Sequence, residues 1–130
     1  MHIVITRPRE DSLHLIERLI KLGHVVTHLP VIKVQKLETK KISFQNYGAV
    51  IFTSSNAIKF LNIDKLNLKI KCYCVGKATE FMARQVGFIN TYSSEGTVDS
   101  LIELIIRSFE NKSGKLLYLS SEFISKDLDV

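Results

Sequence analysis

Short apolar runs alternate with amphipathic stretches along most of the chain. The apolar runs have the lengths and compositions of buried strands, and they cover residues 2–5, 25–29, 49–53, 72–75, 90–92 and 116–119. Strands separated by helices are typical of an α/β protein with a largely parallel sheet. The pattern therefore predicts an α/β fold.

Four amphipathic stretches between these strands are predicted to be helices. They cover about residues 10–22, 55–61, 78–86 and a stretch that begins at Val98. Gly23 and Gly87 stand after the first and third stretches, where a left-handed residue commonly ends a helix. Helical spacing predicts the side chains that face a core: Leu13, Ile16, Leu19, Ile20, Phe81, Met82, Val86, Leu101, Ile102, Ile105 and Phe109.

Two segments depart from this alternation. Residues 30–37 alternate apolar and polar side chains, which predicts an extended crossing between two lobes. The final residues, SEFISKDLDV, are predicted to begin a helix, and no helix stop follows them. The predicted organisation is a partial first lobe at residues 1–30, a connecting segment at 31–37 and a second α/β lobe at 38–130, truncated at its C-terminus.

The predicted first lobe holds only a β-α-β unit. Two strands and one helix are too few to bury their own apolar faces. We therefore expect the missing cover to come from residues beyond 130, from another copy of the chain, or from the second lobe. Self-association through this incomplete lobe is one of these alternatives.

The composition is that of a folded chain of about one domain, with 130 residues, 45% hydrophobic and 24% charged. The first ten residues mix acidic and basic side chains, unlike a secretory signal, and no apolar run approaches the roughly 20 residues of a membrane-spanning helix. These features predict a cytoplasmic protein without a membrane partner.

The net charge of +5 is unevenly distributed. Residues 36–90 carry nine basic and three acidic side chains, whereas residues 91–130 carry four basic and seven acidic ones. A basic middle favours an anionic ligand, although a solvated face of scattered lysines explains it equally well. Nucleic acid is not an expected partner, because no arginine-rich stripe or recognition motif is present.

The two cysteines predict neither a disulfide nor a metal site. Cys72 and Cys74 are two residues apart in an apolar strand, so both are expected on one face, reduced, with Tyr73 on the other. Zinc sites need other spacings and further ligands, and the histidines all lie within the first 28 residues. No metal is expected.

Hydroxyl-bearing residues follow most of the predicted strands. Ligands of open parallel sheets bind at the carboxyl ends of the strands, where helix N-termini favour carboxylates and phosphates. Serine and threonine are also common N-caps, so capping alone would explain many of these residues. Gly76 is more specific, because a glycine directly after a strand lets a ligand or another backbone approach closely.

Familiar catalytic and phosphate-binding motifs are absent from the sequence. Val75-Gly76-Lys77 is neither a Walker loop nor a dinucleotide fingerprint, and no GxSxG elbow is present. A catalytic role would therefore depend on holding a substrate and stabilising charge, rather than on a nucleophile and its base.

Several strings taken together closely resemble uroporphyrinogen-III synthases. They are ITRPRE at 5–10, GHVV at 23–26, LPVI at 29–32, VIFTSSNAI at 50–58, CVGKAT at 74–79 and EGT at 95–97. Their order and spacing are similar to the N-terminal half of that family, over essentially all 130 residues. The resemblance implies two flavodoxin-like lobes joined by a two-stranded connection, with the first lobe built from both ends of the chain.

The resemblance also implies a reaction and a set of residues. The reaction is cyclisation of hydroxymethylbilane to uroporphyrinogen III, with inversion of ring D and loss of water, without a cofactor. The many carboxylates of this substrate agree with the basic middle of the chain. Thr79 is the implied catalytic residue, and the implied substrate-binding residues are Arg7, Thr53, Ser54, Ser55, Gly76 and Lys77.

Departures from the family pattern limit this expectation. The family's cleft tyrosine lies in a part without a counterpart here, and Ser120, Ser121 and Lys126 stand where relatives tend to have glycine and arginine. Little activity is therefore expected of the 130-residue chain alone. The alternative is a non-catalytic flavodoxin-like module that binds anions or self-associates, and a small phosphate- or nucleotide-binding enzyme is disfavoured.

Overall fold

The computed structural model describes residues 1–38, 41–62, 68–109 and 114–120. Its elements alternate between parallel strands and helices, so the predicted α/β class is confirmed. The chain separates into two compact units, one ending at Lys36 and the other beginning at Leu37. The predicted helix at the C-terminus lies outside the described residues.

The first unit is a β-α-β arrangement. Strand β1 (His2–Ile5) pairs in parallel with β2 (Val25–His28), and helix α1 (Leu13–Lys21) connects them. Gly23 follows α1 with a φ of 82°, in the left-handed region, as predicted for the residue that ends the helix.

Helix α1 begins later than the predicted start at residue 10. Arg9–Asp11 form a 3-10 turn instead. The Ser12 hydroxyl donates to the carbonyl of Pro8 at 2.9 Å, and the Ile16 N–H donates to the carbonyl of Ser12, which opens the regular helical pattern. This local hydrogen bond to Pro8 competes with an earlier α-helical start.

The first unit leaves most of its apolar surface uncovered. Ile5 is the only buried hydrophobic side chain of residues 1–36, all of which are described. The prediction that Leu13 and Ile20 face a core is wrong, because these side chains are 45% and 57% exposed. Val4 and Val25, on the sheet face away from Ile5, are 54% and 64% exposed. Two strands are too narrow to cover the apolar face of a helix.

Residues 30–37 form neither a helix nor a strand. The N–H of Val31 donates to the carbonyl of Thr6 at 3.0 Å, which ties the start of this segment to the end of β1.

The second unit is an open parallel sheet of four strands with helices on both faces, which is the flavodoxin-like kind of fold. The strand order is β5-β4-β3-β6, and every pair is parallel. Its elements are β3 (Tyr47–Phe52), α2 (Ser55–Lys59), β4 (Lys71–Cys74), α3 (Lys77–Gln85), β5 (Thr91–Ser93), α4 (Val98–Ser108) and β6 (Lys115–Leu119).

Each face of this sheet has its own hydrophobic core. One core includes Phe52, Ile58 and Ala83, so α2 and α3 cover that face. The other includes Ile51, Tyr73 and Leu101, so α4 covers the opposite face. The connection through α4 returns the chain from β5 to the far side of β3. The strand order therefore reverses between β3 and β6, which is where ligands bind in open α/β sheets.

The cysteines are placed as predicted. Cys72 and Cys74 are both fully buried free thiols in the core beneath α2 and α3, with their Sγ atoms 3.8 Å apart, and Tyr73 points to the other face. The contact with the neighbouring Cys74, and then burial, raises the pKa of the Cys72 thiol, which keeps it protonated.

Two predicted core positions are wrong in this unit. Phe81 is 64% exposed, because α3 packs on the sheet through Ala83, with Met82 and Val86 beside it. In α4, Leu104 joins the core where Ile102 was expected, while Leu101 is fully buried as predicted. Both errors are shifts around a helix, since the spacing of apolar residues fixes an approximate face rather than its centre.

Candidate functional site

The predicted site residues of the second unit lie at the carboxyl ends of two neighbouring strands. Residues 53–55 follow β3 and residues 76–79 follow β4; together we call them the β3–β4 corner. Phe52 and Cys74 are partners in the sheet register, and the N–H of Val75 donates to the carbonyl of Phe52 at 3.1 Å. Adjacent parallel strands therefore bring both groups to one edge of the sheet.

Each residue of the β3 side has a local role. Thr53 Oγ1 lies 3.1 Å from the hydroxyl of Tyr118 on β6. Ser54 is the N-cap of α2, and its hydroxyl accepts a hydrogen bond from the N–H of Asn56 at 3.2 Å. Ser55 is the first residue of α2. Only Thr53 therefore reaches across to another strand's side chain.

Gly76 is the N-cap of α3 and supplies no side-chain cap. The first N–H of α3 that donates within the helix is that of Glu80, to the carbonyl of Gly76 at 3.0 Å. The N–H groups of the preceding first-turn residues therefore have no helical acceptor. In contrast, α4 begins with a capping box between Thr97 and Ser100.

The close neighbour of Gly76 is another backbone. A Cβ built on Gly76 would lie 3.5 Å from the Cα of Gly96, in the loop after β5. Gly76 itself is extended, with a φ of −177°, so its own conformation does not require glycine. The Ser94 hydroxyl donates to the carbonyl of Val75 at 3.0 Å, which also ties the two loops together.

Lys77 belongs to a charged cluster centred on Glu80. The Glu80 side chain is only 12% exposed, and each carboxylate oxygen meets one cation and one hydroxyl. Oε2 lies 3.2 Å from Lys77 Nζ and accepts from Ser93 Oγ at 2.6 Å. Oε1 accepts from Arg84 Nη2 at 3.0 Å and from Thr91 Oγ1 at 3.1 Å.

These contacts stabilise the charged form of Glu80. The Ser93 hydroxyl and the Arg84 guanidinium are the main causes that lower the pKa of the Glu80 carboxyl to about 2. Glu80 is therefore an anion at neutral pH, held between two helix cations and two hydroxyls of β5.

Thr79 lies in the first turn of α3 and is only 6% exposed. The side chain of Lys77, two residues earlier, is 88% exposed. A ligand at the β3–β4 corner would therefore meet Lys77 over a large area and Thr79 over a small one. The catalytic assignment of Thr79 stays a prediction.

Arg7 lies in the first unit, two residues after the end of β1. It is exposed, and its backbone carbonyl lies 2.9 Å from Nε2 of His28. The residue thus stands at the carboxyl end of a parallel strand, as the sequence predicted.

Sequence reasoning missed Tyr118 and Glu80. Tyr118 is partner to Ile51 in the sheet register, two residues before Thr53, but that pairing depends on the order of the strands. Glu80 had a signal in the sequence, because Lys77 and Arg84 flank it at helical i,i+3 and i,i+4 spacing. Its contacts with the two hydroxyls of β5 had no such signal in the sequence.

The described part of the chain offers no metal centre, since it contains no group of three or more histidine, cysteine, aspartate or glutamate side chains able to hold an ion. Within the same residues, no helix has the length and apolar character that crossing a membrane requires.

Comparisons with known proteins agree with the sequence resemblance. The family described as uroporphyrinogen-III synthase HemD matches residues 14–129, a range that includes the whole β3–β4 corner. A porphyrin biosynthesis protein HemD from Ruminiclostridium josui is 28% identical over 140 residues, covering 97% of this chain and 28% of that protein. The chain thus spans little more than a quarter of the length of that curated relative. From the family match over most of its length, the chain belongs to the uroporphyrinogen-III synthase family.

Proposed function

We propose that the chain contributes substrate-binding residues to a uroporphyrinogen-III synthase. The reaction is cyclisation of hydroxymethylbilane with inversion of ring D and loss of water, in tetrapyrrole biosynthesis in the cytoplasm. The observation that carries the proposal is the family match, because residues 14–129 contain both halves of the β3–β4 corner.

In this proposal the β3–β4 corner binds carboxylates of the substrate. The first-turn N–H groups of α3, with the positive end of the helix, are suited to an acetate or propionate group. Lys77 adds an exposed cation, and Thr53 and Ser55 add hydroxyls at the neighbouring strand end. Arg7 binds a further carboxylate in the first unit. These contacts position the bilane, its leaving water and the spiro intermediate, so the chain's role is orientation and charge stabilisation.

The reaction is tested by the isomer that forms. Freshly generated hydroxymethylbilane closes spontaneously to the type I isomer, so the fraction of type III product measures the enzyme. Type III product above the protein-free background supports the proposed reaction, and a substantial amount of it would overturn the prediction that the 130-residue chain has little activity alone.

Binding is tested separately from turnover, with the stable octacarboxylate uroporphyrin I as probe. We expect Thr79→Val to weaken the affinity of the chain for the probe by about three- to tenfold, the net value of one ordinary hydrogen bond. The melting temperature should change little, because the two side chains have similar size. Thr27→Val, the same change in strand β2, is the matched control. A large loss of stability with unchanged affinity would make Thr79 a structural residue.

A second candidate function is self-association, and the exposed apolar face of the first unit favours it. Val4 and Val25 lie on the same uncovered face of the β1–β2 sheet. Light scattering after size exclusion should then give a mass above the 14.8 kDa of one chain. Val25→Lys should return the measured mass to that of the monomer. A monomer at every concentration would exclude this candidate.

A further inference from the structure

The Glu80 cluster holds its two cations unequally. The Lys77 side chain is 88% exposed and touches only Oε2, at 3.2 Å. The Arg84 side chain is 55% exposed and lies closer to its oxygen, at 3.0 Å. Exposed ion pairs are weak and constrain long side chains at an entropic cost, so Lys77 is the partner that leaves most easily.

Glu80 keeps its other contacts when Lys77 leaves. Oε2 retains the Ser93 hydroxyl at 2.6 Å, and Oε1 retains Arg84 and Thr91. The buried carboxylate therefore remains hydrogen-bonded, and the cost of losing one exposed cation is small.

Lys77 stands where it can exchange partners. It is the first residue of α3, beside first-turn N–H groups that have no helical acceptor and no side-chain cap. A carboxylate bound to those N–H groups would lie within the range of the flexible four-carbon side chain of Lys77. Glu80 and such a ligand would then compete for one ammonium group.

We propose that Glu80 is a positioning residue that holds Lys77 in the ligand-free corner and yields it to a carboxylate of the substrate. This inference rests on the proposed function, since the competing carboxylate belongs to the bound tetrapyrrole. Glu80 thereby lowers the affinity of the corner for carboxylates: it shields Lys77 when the corner is empty, and a bound carboxylate must displace it from the ammonium group.

The test is a double-mutant cycle in the 130-residue chain. Fluorescence titration measures the affinity of each variant for the probe, uroporphyrin I. Lys77→Met removes the ammonium group and keeps most of the aliphatic stem, and we expect it to weaken binding about threefold. Glu80→Gln removes the competing charge, and we expect it to tighten binding about threefold. In the Lys77→Met background, Glu80→Gln should have no effect.

The sign of the Glu80→Gln effect separates positioning from structure. A merely structural glutamate would weaken binding when it is changed, whereas a competitor for Lys77 strengthens it. Glu103→Gln is the matched control, because Glu103 pairs with Arg107 at i,i+4 on α4 and the change removes one negative charge away from the β3–β4 corner. Tightening by Glu103→Gln as large as that by Glu80→Gln would overturn the inference, since net charge alone would then explain it.

A second variant keeps the test decisive if Glu80→Gln does not fold. Ser93→Ala removes the other donor of Oε2, so Glu80 holds Lys77 more tightly and binding should weaken about twofold, only while Lys77 is present. Probe binding that is insensitive to Glu80 and Ser93 would overturn this inference and leave the proposed function intact. No probe binding by the unchanged chain would overturn both.

Discussion

Glu80 shows how one side chain connects two elements of the second unit. Its carboxylate takes two cations from its own helix, α3, and two hydroxyls from β5. A buried carboxylate is costly unless its lone pairs are filled, and here four donors fill them. The cluster therefore fixes the start of α3 against the carboxyl end of β5.

The lowered pKa of Glu80 predicts a specific pH dependence of stability. The carboxyl has a pKa of about 2 in the folded chain against an ordinary value of 4.5. Its contribution is therefore complete above about pH 5 and is lost as the pH falls from 4.5 towards 2. Because both cationic partners face solvent, we expect the charged form of Glu80 to contribute about 1–2 kcal/mol to the free energy of unfolding.

Urea unfolding of the chain and of Glu80→Gln between pH 7 and pH 2 measures this contribution. The free energies of unfolding of the two proteins should differ at neutral pH and converge by about that amount at acid pH. A constant difference across the range would show that the charged form of Glu80 does not stabilise the fold.

At the scale of elements, the helices of the second unit begin in different ways. The N-terminus of α4 is satisfied by its Thr97–Ser100 capping box, and that of α2 by the Ser54 hydroxyl. Helix α3 begins at a glycine without a side-chain cap. Among the described helices of the second unit, the proposed carboxylate site is thus at the one that begins without a side-chain cap.

A side-chain cap at the start of α3 should raise the free energy of unfolding and lower the affinity for the ligand. The extended φ of Gly76 suits any residue, and an added Cβ would make only ordinary contact with Gly96 at 3.5 Å. Gly76→Ser should therefore stabilise the fold by about 0.5–1 kcal/mol, by capping α3 and reducing the entropy of the unfolded chain.

The same serine hydroxyl would occupy an N–H that the ligand needs, so uroporphyrin I binding should weaken severalfold. Gly76→Ala is the matched control, because it adds the Cβ without the hydroxyl and should leave binding nearly unchanged. Thermal melts and fluorescence titration measure both quantities. Equal loss of affinity in the two variants would mean that the Cβ, rather than the cap, excludes the ligand.

The sequence determines local elements better than their assembly. The β1 strand and the left-handed stops at Gly23 and Gly87 follow from local patterns and were predicted correctly. The exposure of Phe81 does not follow from the sequence, because helical spacing alone does not identify which neighbouring strand the helix meets. The hydroxyls of Thr91 and Ser93 around Glu80 could not be foreseen, since only the packing of α3 on β5 brings them there.

At the scale of the whole molecule, the two units differ in what they bury. The first unit buries Ile5 alone among its hydrophobic side chains, whereas Val50, Phe52 and Cys72 of the second are fully buried. Amide hydrogens exchange quickly where few buried contacts protect the backbone.

Hydrogen exchange followed by mass spectrometry should therefore separate the units. We expect the amides of β1 and β2 to exchange at least about a hundredfold faster than those of β3 and β4 in dilute solution. If copies associate through the uncovered sheet, the exchange of β1 and β2 should slow as the protein concentration rises. Equal protection of both units in dilute monomer would contradict the small core of the first.

The order of the strands also governs when the sheet can form during synthesis. β3 is placed between β4 and β6, yet Tyr47 pairs with Lys115, about 70 residues later in the chain. A nascent chain that has emerged only as far as β5 therefore holds β3 with one long edge unpaired and apolar. Until Leu119 leaves the ribosome, this edge is open to pairing with other chains, so the sheet is exposed to aggregation for longer than its short strands suggest.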